Sequence, residues 1–361
     1  MNTGESLPII HGRGTALNPP NRFETLRIEA DLEHLEGDEE YLDRFGRPVT
    51  QYLVDASQSI IARNDSPDVG FTHSINAYRG CSHGCIYCYA RPGHEYLGFS
   101  AGLDFETRIM VKPRAAELLR GELSSPKWRP TLLAMSGVTD CYQPIEKTLR
   151  LTRSCLEVLA EFRNPVGVIT KNHLVTRDID LLSELAKFDA ARVFVSVTTL
   201  DEKLTAKMEP RTSVPKRRLA AIEALATAGI TVGVLMAPVV PGLTDHEIPA
   251  VLKAAAEAGA KTAGYVPLRL PGAVAPLFEQ WLEQHFPDRK DKVLNRVRAL
   301  RGGKLNDPNF GSRMRGQGVW ADQLKTIFDL SKRRAGLDRE IPPASIAAFR
   351  RPSGPQMTMW D

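Results

Sequence analysis

Three cysteines lie close together in the stretch Cys81-Ser-His-Gly-Cys85-Ile-Tyr-Cys88, separated by three and then by two residues. Thiolates at this spacing can converge on one inorganic centre, and Gly80 and Gly84 allow the backbone to fold closely around it. The pattern therefore predicts a loop that holds a metal cluster. We call residues 81–88 the cluster loop and its three cysteines the cluster cysteines.

Zinc is the main alternative use of these cysteines. His83 or His94 could supply a fourth ligand, because zinc ligands are often two to four residues apart in sequence. A disulfide framework is less favoured, since five cysteines in a chain of 361 residues do not form the pattern of a small secreted domain.

An iron-sulfur cube has four irons, so three cysteines leave one iron without a protein thiolate. The order C-x3-C-x-aromatic-C, with Tyr87 in the aromatic position, resembles the radical S-adenosylmethionine (radical SAM) superfamily. The resemblance implies a [4Fe-4S] cluster on Cys81, Cys85 and Cys88, with SAM chelated to the open iron. It also implies reductive cleavage of SAM to a 5'-deoxyadenosyl radical, with electrons from a low-potential donor such as a flavodoxin or ferredoxin.

Short apolar runs alternate with amphipathic helical patterns after residue 70, which predicts a parallel sheet covered by helices. Cys155 falls on the apolar face of one such helix, Ile145 to Phe162, and is predicted to be a core residue. Another helix is predicted from Val214 to Ala228. The predicted strands are Thr72 to Tyr78, Thr131 to Met135, Val166 to Thr170, Arg192 to Val197, Ile230 to Ala237 and Thr262 to Pro267.

Periodicity alone leaves open whether the sheet is flat or closed. The resemblance favours an α/β fold of the partial (β/α)6 TIM-barrel type, with the cluster loop after the first strand. We predict an N-terminal extension at 1–70, a radical SAM core at 71–272, a basic helical extension at 273–340 and a tail at 341–361. A strand from Phe23 to Ile28 is also predicted in the N-terminal extension.

Residues just past the strands are the candidates for binding, because sites in such folds collect at the carboxyl ends of the strands. Ser136, Gly137 and Asp140 follow the second strand, where many radical SAM proteins place a Gly-Gly-Glu-like turn for the SAM amino group. Asp140 could equally cap the helix that begins near Pro144.

The preceding Tyr-Arg-Gly-Cys context resembles the subgroup related to spore photoproduct lyase, the DNA repair photolyase-like proteins. Lys171 and Ser196 match positions that contact SAM in this subgroup. Arg211 falls at the predicted mouth of the barrel, although a solvated basic face is the favoured interpretation of this segment. The cysteine hydrogen donor of these lyases would fall near Gly137, where this chain has none, so Cys141 is the remaining candidate donor.

The net charge of +4 is unevenly distributed. From Asp288 to Arg351 there are sixteen Lys or Arg against seven Asp or Glu, which predicts a C-terminal surface for DNA or RNA, unless ordinary helix solvation accounts for it. Phe310 and Trp320 are possible stacking groups there. The named cations are Arg289, Lys290, Arg296, Arg298, Arg301, Arg313 and Arg315.

The last residues, Gln356-Met-Thr-Met-Trp360-Asp361, look like the bacterial sliding-clamp-binding pentapeptide. Docking of the tail on its own domain is the favoured interpretation, and recruitment by a sliding clamp is the alternative hypothesis. No secretory signal or membrane span is visible, so a reducing cytoplasm is expected. Modification of a protein, RNA or small metabolite, and a non-enzymatic zinc-stabilised binding protein, are the competing functions.

Overall fold

The computed structural model describes residues 10–24 and 48–352. The predicted strand at Phe23 to Ile28 lies almost entirely outside this range, as does the proposed clamp-binding peptide. The strands are β1 (Gln51–Val54), β2 (Ile61–Arg63), β3 (His73–Ile75), β4 (Tyr78–Arg79), β5 (Arg108–Val111), β6 (Leu133–Met135), β7 (Val166–Thr170), β8 (Ala191–Ser196), β9 (Thr231–Val239) and β10 (Thr262–Pro267).

The described chain has one large sheet in the order β10-β9-β8-β7-β6-β3-β2. Its pairs are parallel from β3 through β10, and only β2 runs antiparallel, against β3. Six parallel strands with helical crossovers confirm the predicted partial (β/α)6 barrel. β10 and β2 are the two ends of the sheet in the described chain, so backbone hydrogen bonds leave the barrel open on one side.

Helices cover the sheet, and further helices follow its last strand in the C-terminal part of the chain. They are α1 (Asp104–Thr107), α2 (Ala115–Ser124), α3 (Glu146–Leu149), α4 (Leu151–Phe162), α5 (Ile179–Ala186), α6 (Glu202–Met208), α7 (Pro215–Thr227), α8 (Ile248–Glu257), α9 (Val274–His285), α10 (Lys290–Leu300), α11 (Ser312–Arg315) and α12 (Val319–Arg334). Short 3-10 helices occur at Arg91–Leu97, His173–Asp178, Asp245–Glu247 and Pro287–Arg289.

The predicted first strand, Thr72 to Tyr78, is two strands in two sheets. β3 joins the large sheet, whereas β4 pairs with β5 in a small sheet of order β1-β5-β4. The chain changes direction at Asn76, whose side-chain oxygen accepts the N–H groups of Gly137 (3.0 Å) and Val138 (3.2 Å). The cluster loop therefore follows β4 rather than leaving the large sheet directly.

The predicted helix Ile145 to Phe162 is interrupted at Arg150, which adopts a left-handed conformation with φ 54°. The buried carboxylate of Glu146 supports the break, because it accepts the Thr152 N–H at 3.1 Å. By contrast, α7 agrees with the predicted helix to within one residue at each end. Cys155 lies buried in the main core, as predicted.

Two large apolar cores stabilise the fold, and a small third cluster packs Cys81 and Ala90 against Phe105. The larger lies between the sheet and its helices, where the strands are nearly continuously buried. The smaller joins Ile86 and Tyr87 of the cluster loop to Trp281 of α9 and Val293 of α10. The C-terminal helices thus pack against the cluster loop, and their apolar side helps to position it.

In residues 10–24 and 48–352 we find no helix with the length and apolarity that a membrane span requires.

Candidate functional site: a three-cysteine loop at the barrel mouth

Backbone hydrogen bonds fix the cluster loop to both of its neighbours. The Cys81 N–H donates to the Phe105 carbonyl at 2.9 Å, and the Ile86 N–H donates to the Met208 carbonyl at 3.1 Å. All three cluster cysteines are free thiols. The fold therefore presents three thiols from a loop whose backbone is held from two sides.

The environment of these thiols is unequal. Burial raises the pKa of Cys85, and the nearby Glu209 carboxylate raises it further. Burial also raises the pKa of Cys88, followed by the effect of Cys81. For Cys81, burial has the same direction but His83 outweighs it, so the pKa lies below its usual value. Thiolates at Cys85 and Cys88 therefore need a cationic centre to stabilise them, which a metal cluster supplies.

A cluster and a single zinc ion differ in how their ligands must be placed. In the described part of the chain, no three His, Cys, Asp or Glu side chains are placed to bind one metal ion. A cube binds each thiolate through a different iron, so its ligands need not meet at one point. The cysteine order C-x3-C-x-aromatic-C, rather than this geometry, is what favours a cluster over zinc.

The two histidines of the zinc alternative differ in their surroundings, and His83 makes a side-chain hydrogen bond with Cys81. His83 contacts the Asp140 carboxylate at 3.4 Å and the Asn172 amide at 3.2 Å. His94 is buried against the rings of Phe99 and Phe105, with centroid distances of 5.2 and 5.5 Å. Burial lowers the pKa of His94 to about 4.

A buried ion pair links the cluster loop to an N-terminal segment of the chain. Arg91 pairs with Glu106 and also donates to the Cys85 carbonyl at 3.0 Å. The second Glu106 oxygen accepts the Gly14 N–H at 3.0 Å. Gly14 lies so close that a Cβ on it would be 1.9 Å from the Gly84 carbonyl oxygen. Gly14 therefore packs directly against the cluster loop, and the two glycines permit the close contact.

Asp140 connects the ends of two strands to the cluster loop. Its carboxylate accepts the Lys171 N–H and the Thr170 hydroxyl, both at 2.8 Å, and the Tyr142 N–H at 2.9 Å. Burial would raise the pKa of Asp140, but His83 and these hydrogen bonds lower it to about 2. Burial would lower the pKa of His83, but Asp140 raises it to about 9.

A second buried carboxylate lies under Tyr87. Glu209 accepts hydrogen bonds from the Tyr87 hydroxyl, the Thr198 hydroxyl and the Arg218 guanidinium. Burial would raise the pKa of Glu209, but the Arg218 and Lys171 charges help to lower it to about 2. A charged network thus orients the aromatic residue of the cluster loop.

Lys171 faces the cluster loop from the end of β7. Its ammonium lies 5.8 Å from the centre of the Tyr87 ring and donates to the Ala237 carbonyl at 3.3 Å. Ser196 is buried at the end of β8, where its carbonyl accepts from Arg218 at 3.1 Å. Arg211 is exposed, and its N–H donates to the His83 carbonyl at 3.2 Å. Lys171 and Arg211 therefore contact the cluster loop, whereas Ser196 contacts Arg218.

The predicted residues in the turn after β6 are used in contacts within the protein. Ser136 has a positive φ of 93° and accepts the Cys141 N–H at 2.9 Å. The Gly137 carbonyl accepts from the Tyr89 hydroxyl at 2.7 Å, facing the cluster side. Cys141 is only 4% exposed and belongs to the main apolar core. A donor role for Cys141 would require this turn to expose the thiol.

Sequence reasoning missed the two carboxylates that support the site, Glu106 and Glu209. Glu106 lies just before β5, and Glu209 directly follows α6. Their role is visible only in the fold, because Glu209 and Tyr87 are 122 residues apart in the chain.

The loop of three thiols thus contacts residues just past β6, β7 and β8, as the resemblance to radical SAM proteins predicts. The radical SAM superfamily profile matches residues 75–255, and the chain belongs to this superfamily. The family implies an enzyme that uses SAM and an iron-sulfur cluster.

Similar proteins of known sequence extend well beyond the matched region. An uncharacterized protein of Mycobacterium tuberculosis is 36% identical over 282 residues, which are 77% of this chain and 80% of that protein. An uncharacterized protein of Methanocaldococcus jannaschii is 28% identical over 228 residues, 63% of this chain and 82% of that protein.

Solved structures show the same fold. Spore photoproduct lyase complexed with dinucleoside spore photoproduct has a TM-score of 0.53 and 17% identity, covering 78% of this chain and 79% of that chain. A double mutant of that lyase with bound AdoMet and the same ligand has a TM-score of 0.51 and 18% identity, covering 79% and 77%. This likeness concerns the fold.

Proposed function

We propose that this chain holds a [4Fe-4S] cluster through Cys81, Cys85 and Cys88 and uses it with SAM to act on nucleic acid. The observation that carries the proposal is the position of three free thiols beside Lys171 at the carboxyl ends of the strands. When bound, cluster and SAM supply a 5'-deoxyadenosyl radical that abstracts hydrogen from a substrate.

The chain's own residues bind and orient SAM in this proposal. Lys171 meets the SAM carboxylate as a cation, and Ser196 donates to its ribose or carboxylate. Tyr87, fixed by Glu209, packs against SAM. Arg211 contributes positive charge at the mouth.

The turn after β6 lies near the SAM amino group in the proposal. Ser136 and Gly137 offer backbone carbonyls there. The Asp140 carboxylate already has protein partners, so it acts mainly by holding Lys171 and His83 in place.

Two observations support nucleic acid as the substrate. The chain shares its fold with spore photoproduct lyase, which has been solved with a dinucleoside photoproduct, and it carries a C-terminal excess of cations. Many of those cations have protein partners, however. Lys290 pairs with Glu283, Arg296 with Asp245 and Arg313 with Asp68.

The remaining named cations differ in how free they are to contact a nucleic-acid phosphate. Arg301 is buried and donates to backbone carbonyls, including Pro267 at 2.7 Å. Arg298 donates to Asn295 at 3.0 Å. Arg289 and Arg315 have no ion pair within the described residues. The cation excess is therefore a weaker basis for DNA or RNA binding than its size suggests, since structural uses account for much of it.

The predicted aromatic stacking groups are each covered by an arginine. The Arg313 guanidinium lies 4.4 Å from the Phe310 ring centre, and that of Arg296 lies 4.7 Å from the Trp320 ring centre. Both rings keep an exposed part. Bases could stack on these pairs, because arginine and aromatic faces both accept them.

A low-potential electron donor, a flavodoxin or ferredoxin, completes the proposed system. The sliding-clamp peptide at Gln356 to Trp360 stays a prediction, and the comparisons give it no support. The division into segments at residues 70, 272 and 340 also stays a prediction.

The test is SAM cleavage by the anaerobically reconstituted full chain under reduction, with deuterated damaged DNA as substrate. We expect 5'-deoxyadenosine to form and to carry deuterium from the DNA. Formation of 5'-deoxyadenosine without deuterium transfer from any DNA or RNA would favour the alternative, modification of a protein or small metabolite. Absence of iron, sulfide and SAM cleavage would refute the proposal.

A further inference from the structure

Tyr89 and Arg269 form a pair at the open side of the barrel. Tyr89 follows the last cluster cysteine, is 52% exposed and donates to the Gly137 carbonyl just past β6. The Arg269 guanidinium lies 5.2 Å from the centre of the Tyr89 ring. Arg269 comes two residues after β10 ends at Pro267. The pair therefore lies between the ends of β6 and β10, beside the cluster loop.

Arg269 lacks a partner for its charge. Within the described chain its guanidinium makes no hydrogen bond and no ion pair, and it lies over the Tyr89 ring. The nearby Asp68 carboxylate is already used by the Arg313 guanidinium and the Gly311 N–H. A guanidinium has five N–H donors in a fixed fork. Those of Arg269 are left for a ligand.

Arg269 is also partly removed from water among like charges. Burial lowers its pKa and Arg313 lowers it further, while Tyr89 and Asp68 act in the opposite direction. The buried Arg301 guanidinium is close enough to interact with Arg269. A half-buried cation without a carboxylate is costly unless an anion approaches it. The group of Arg269, Arg301 and Arg313 thus forms a site for an anion.

The neighbouring aromatic groups indicate which anion. Phe310 is 58% exposed next to Arg313. The surface around Arg269 therefore has two arginine-aromatic pairs, Arg269 with Tyr89 and Arg313 with Phe310. Exposed aromatic rings beside cations are typical of surfaces that stack bases and contact phosphates of an unpaired strand. An acidic protein segment would need the cations but not the exposed rings.

We propose that Arg269, held by the Tyr89 ring, binds a backbone phosphate of an unpaired nucleic-acid strand that enters the barrel between the ends of β6 and β10. This inference rests on the proposed action on nucleic acid and specifies where the strand is held.

The test measures binding of a fluorescein-labelled single-stranded oligonucleotide to the reconstituted full chain by fluorescence anisotropy over a series of KCl concentrations. One lost phosphate contact should reduce the slope of log K against log salt by about 0.7. We expect Arg269→Gln to show this reduction and to bind about five- to tenfold more weakly. Arg269→Lys should keep the slope, because the charge remains.

Arg120→Gln is the matched control. Arg120 is an exposed arginine on α2 that pairs with Glu161 on α4, away from the cluster loop in sequence. For Arg120→Gln, the slope of log K against log salt and the affinity for the oligonucleotide should equal those of the wild type. Equal iron content and equal thermal midpoints in all variants exclude misfolding as the cause of a change.

The outcomes separate the two proposals. An unchanged slope in Arg269→Gln, with salt-dependent binding by the wild type, would overturn the phosphate site and leave the action on nucleic acid standing. A wild type that cleaves SAM but binds no DNA or RNA at low salt would overturn both. Tighter binding of a labelled poly-glutamate peptide, lost in Arg269→Gln, would assign the site to an acidic protein instead.

Discussion

The Tyr87 hydroxyl donates a hydrogen bond to the buried carboxylate of Glu209, which also pairs with Arg218. The aromatic residue of the cluster loop is therefore held by a charged group from the segment after β8. Glu209 and Arg218 are both essentially inaccessible to solvent, so each is the main neutralising partner of the other.

Removing this carboxylate should destabilise the fold strongly. Glu209→Ala leaves the buried Arg218 without its partner, which costs about 3 to 5 kcal/mol. Tyr87→Phe keeps the ion pair and removes one hydrogen bond, at a cost of about 1 kcal/mol. Urea unfolding of the full chain measures both values.

The exposed pair of Arg114 and Glu117 provides the control for that experiment. Glu117→Ala should change the free energy of unfolding by less than about 0.5 kcal/mol. If Glu209→Ala costs no more than this control, the ion pair does not hold the site together.

The same carboxylate predicts a pH dependence of stability. The pKa of Glu209 is lowered from 4.5 to about 2, so its ionised form is stabilised by folding. This contribution, about 3 kcal/mol, is complete above pH 4.5 and is lost as the pH falls toward 2. Glu209→Gln lacks it, so the stability difference between wild type and variant should shrink in unfolding experiments from pH 5 to pH 3. Parallel pH profiles would contradict this assignment.

Each cluster cysteine should be required for the metal centre. Replacing Cys81, Cys85 or Cys88 by Ala should remove bound iron and sulfide and abolish SAM cleavage, because a cube with two protein thiolates loses a ligand that the fold cannot replace. Iron and sulfide assays on anaerobically reconstituted protein measure this. Cys155→Ala is the control, since Cys155 lies in the main core. Wild-type iron content in any of the three variants would argue against the cluster.

Lys171 should contribute to SAM affinity through its charge. Lys171→Met should raise the Kd for SAM by about tenfold to a hundredfold, the value of a charge-assisted contact. Calorimetry on the reconstituted protein measures the Kd. Lys187→Met is suitable for comparison, because Lys187 is exposed and pairs with Glu184. Equal affinities in the two variants would exclude a carboxylate contact at Lys171.

Cys141 can be tested against Cys155, since both thiols are buried in the same core. From its burial we expect Cys141→Ala to keep SAM cleavage and to lower stability by about 1 kcal/mol, and we expect the same of Cys155→Ala. Product analysis on damaged DNA separates the two roles. A changed product in Cys141→Ala alone would establish Cys141 as the hydrogen donor.

Local signals were enough for much of the fold. β7, β10 and α7 follow from apolar runs and periodicity, and the cluster loop follows from cysteine spacing. These features depend on residues close together in sequence, which is why the pattern contains them.

The differences arise where a distant partner decides the conformation. The break between β3 and β4 depends on Asn76 binding the backbone at Gly137, and the break before α4 depends on the carboxylate of Glu146. The candidate site divides in the same way. Lys171 and Ser196 were found at strand ends, whereas Glu106 and Glu209 act on the cluster loop across long sequence separations.

The close contact of Gly14 with Gly84 has a consequence for assembly. Gly14 lies directly on the backbone of the cluster loop. Packing of this N-terminal segment should therefore stabilise the loop in the conformation that binds iron and sulfide. A chain shortened by its first seventeen residues should therefore release its inorganic sulfide faster to a chelator, even though every thiol that binds metal is still present.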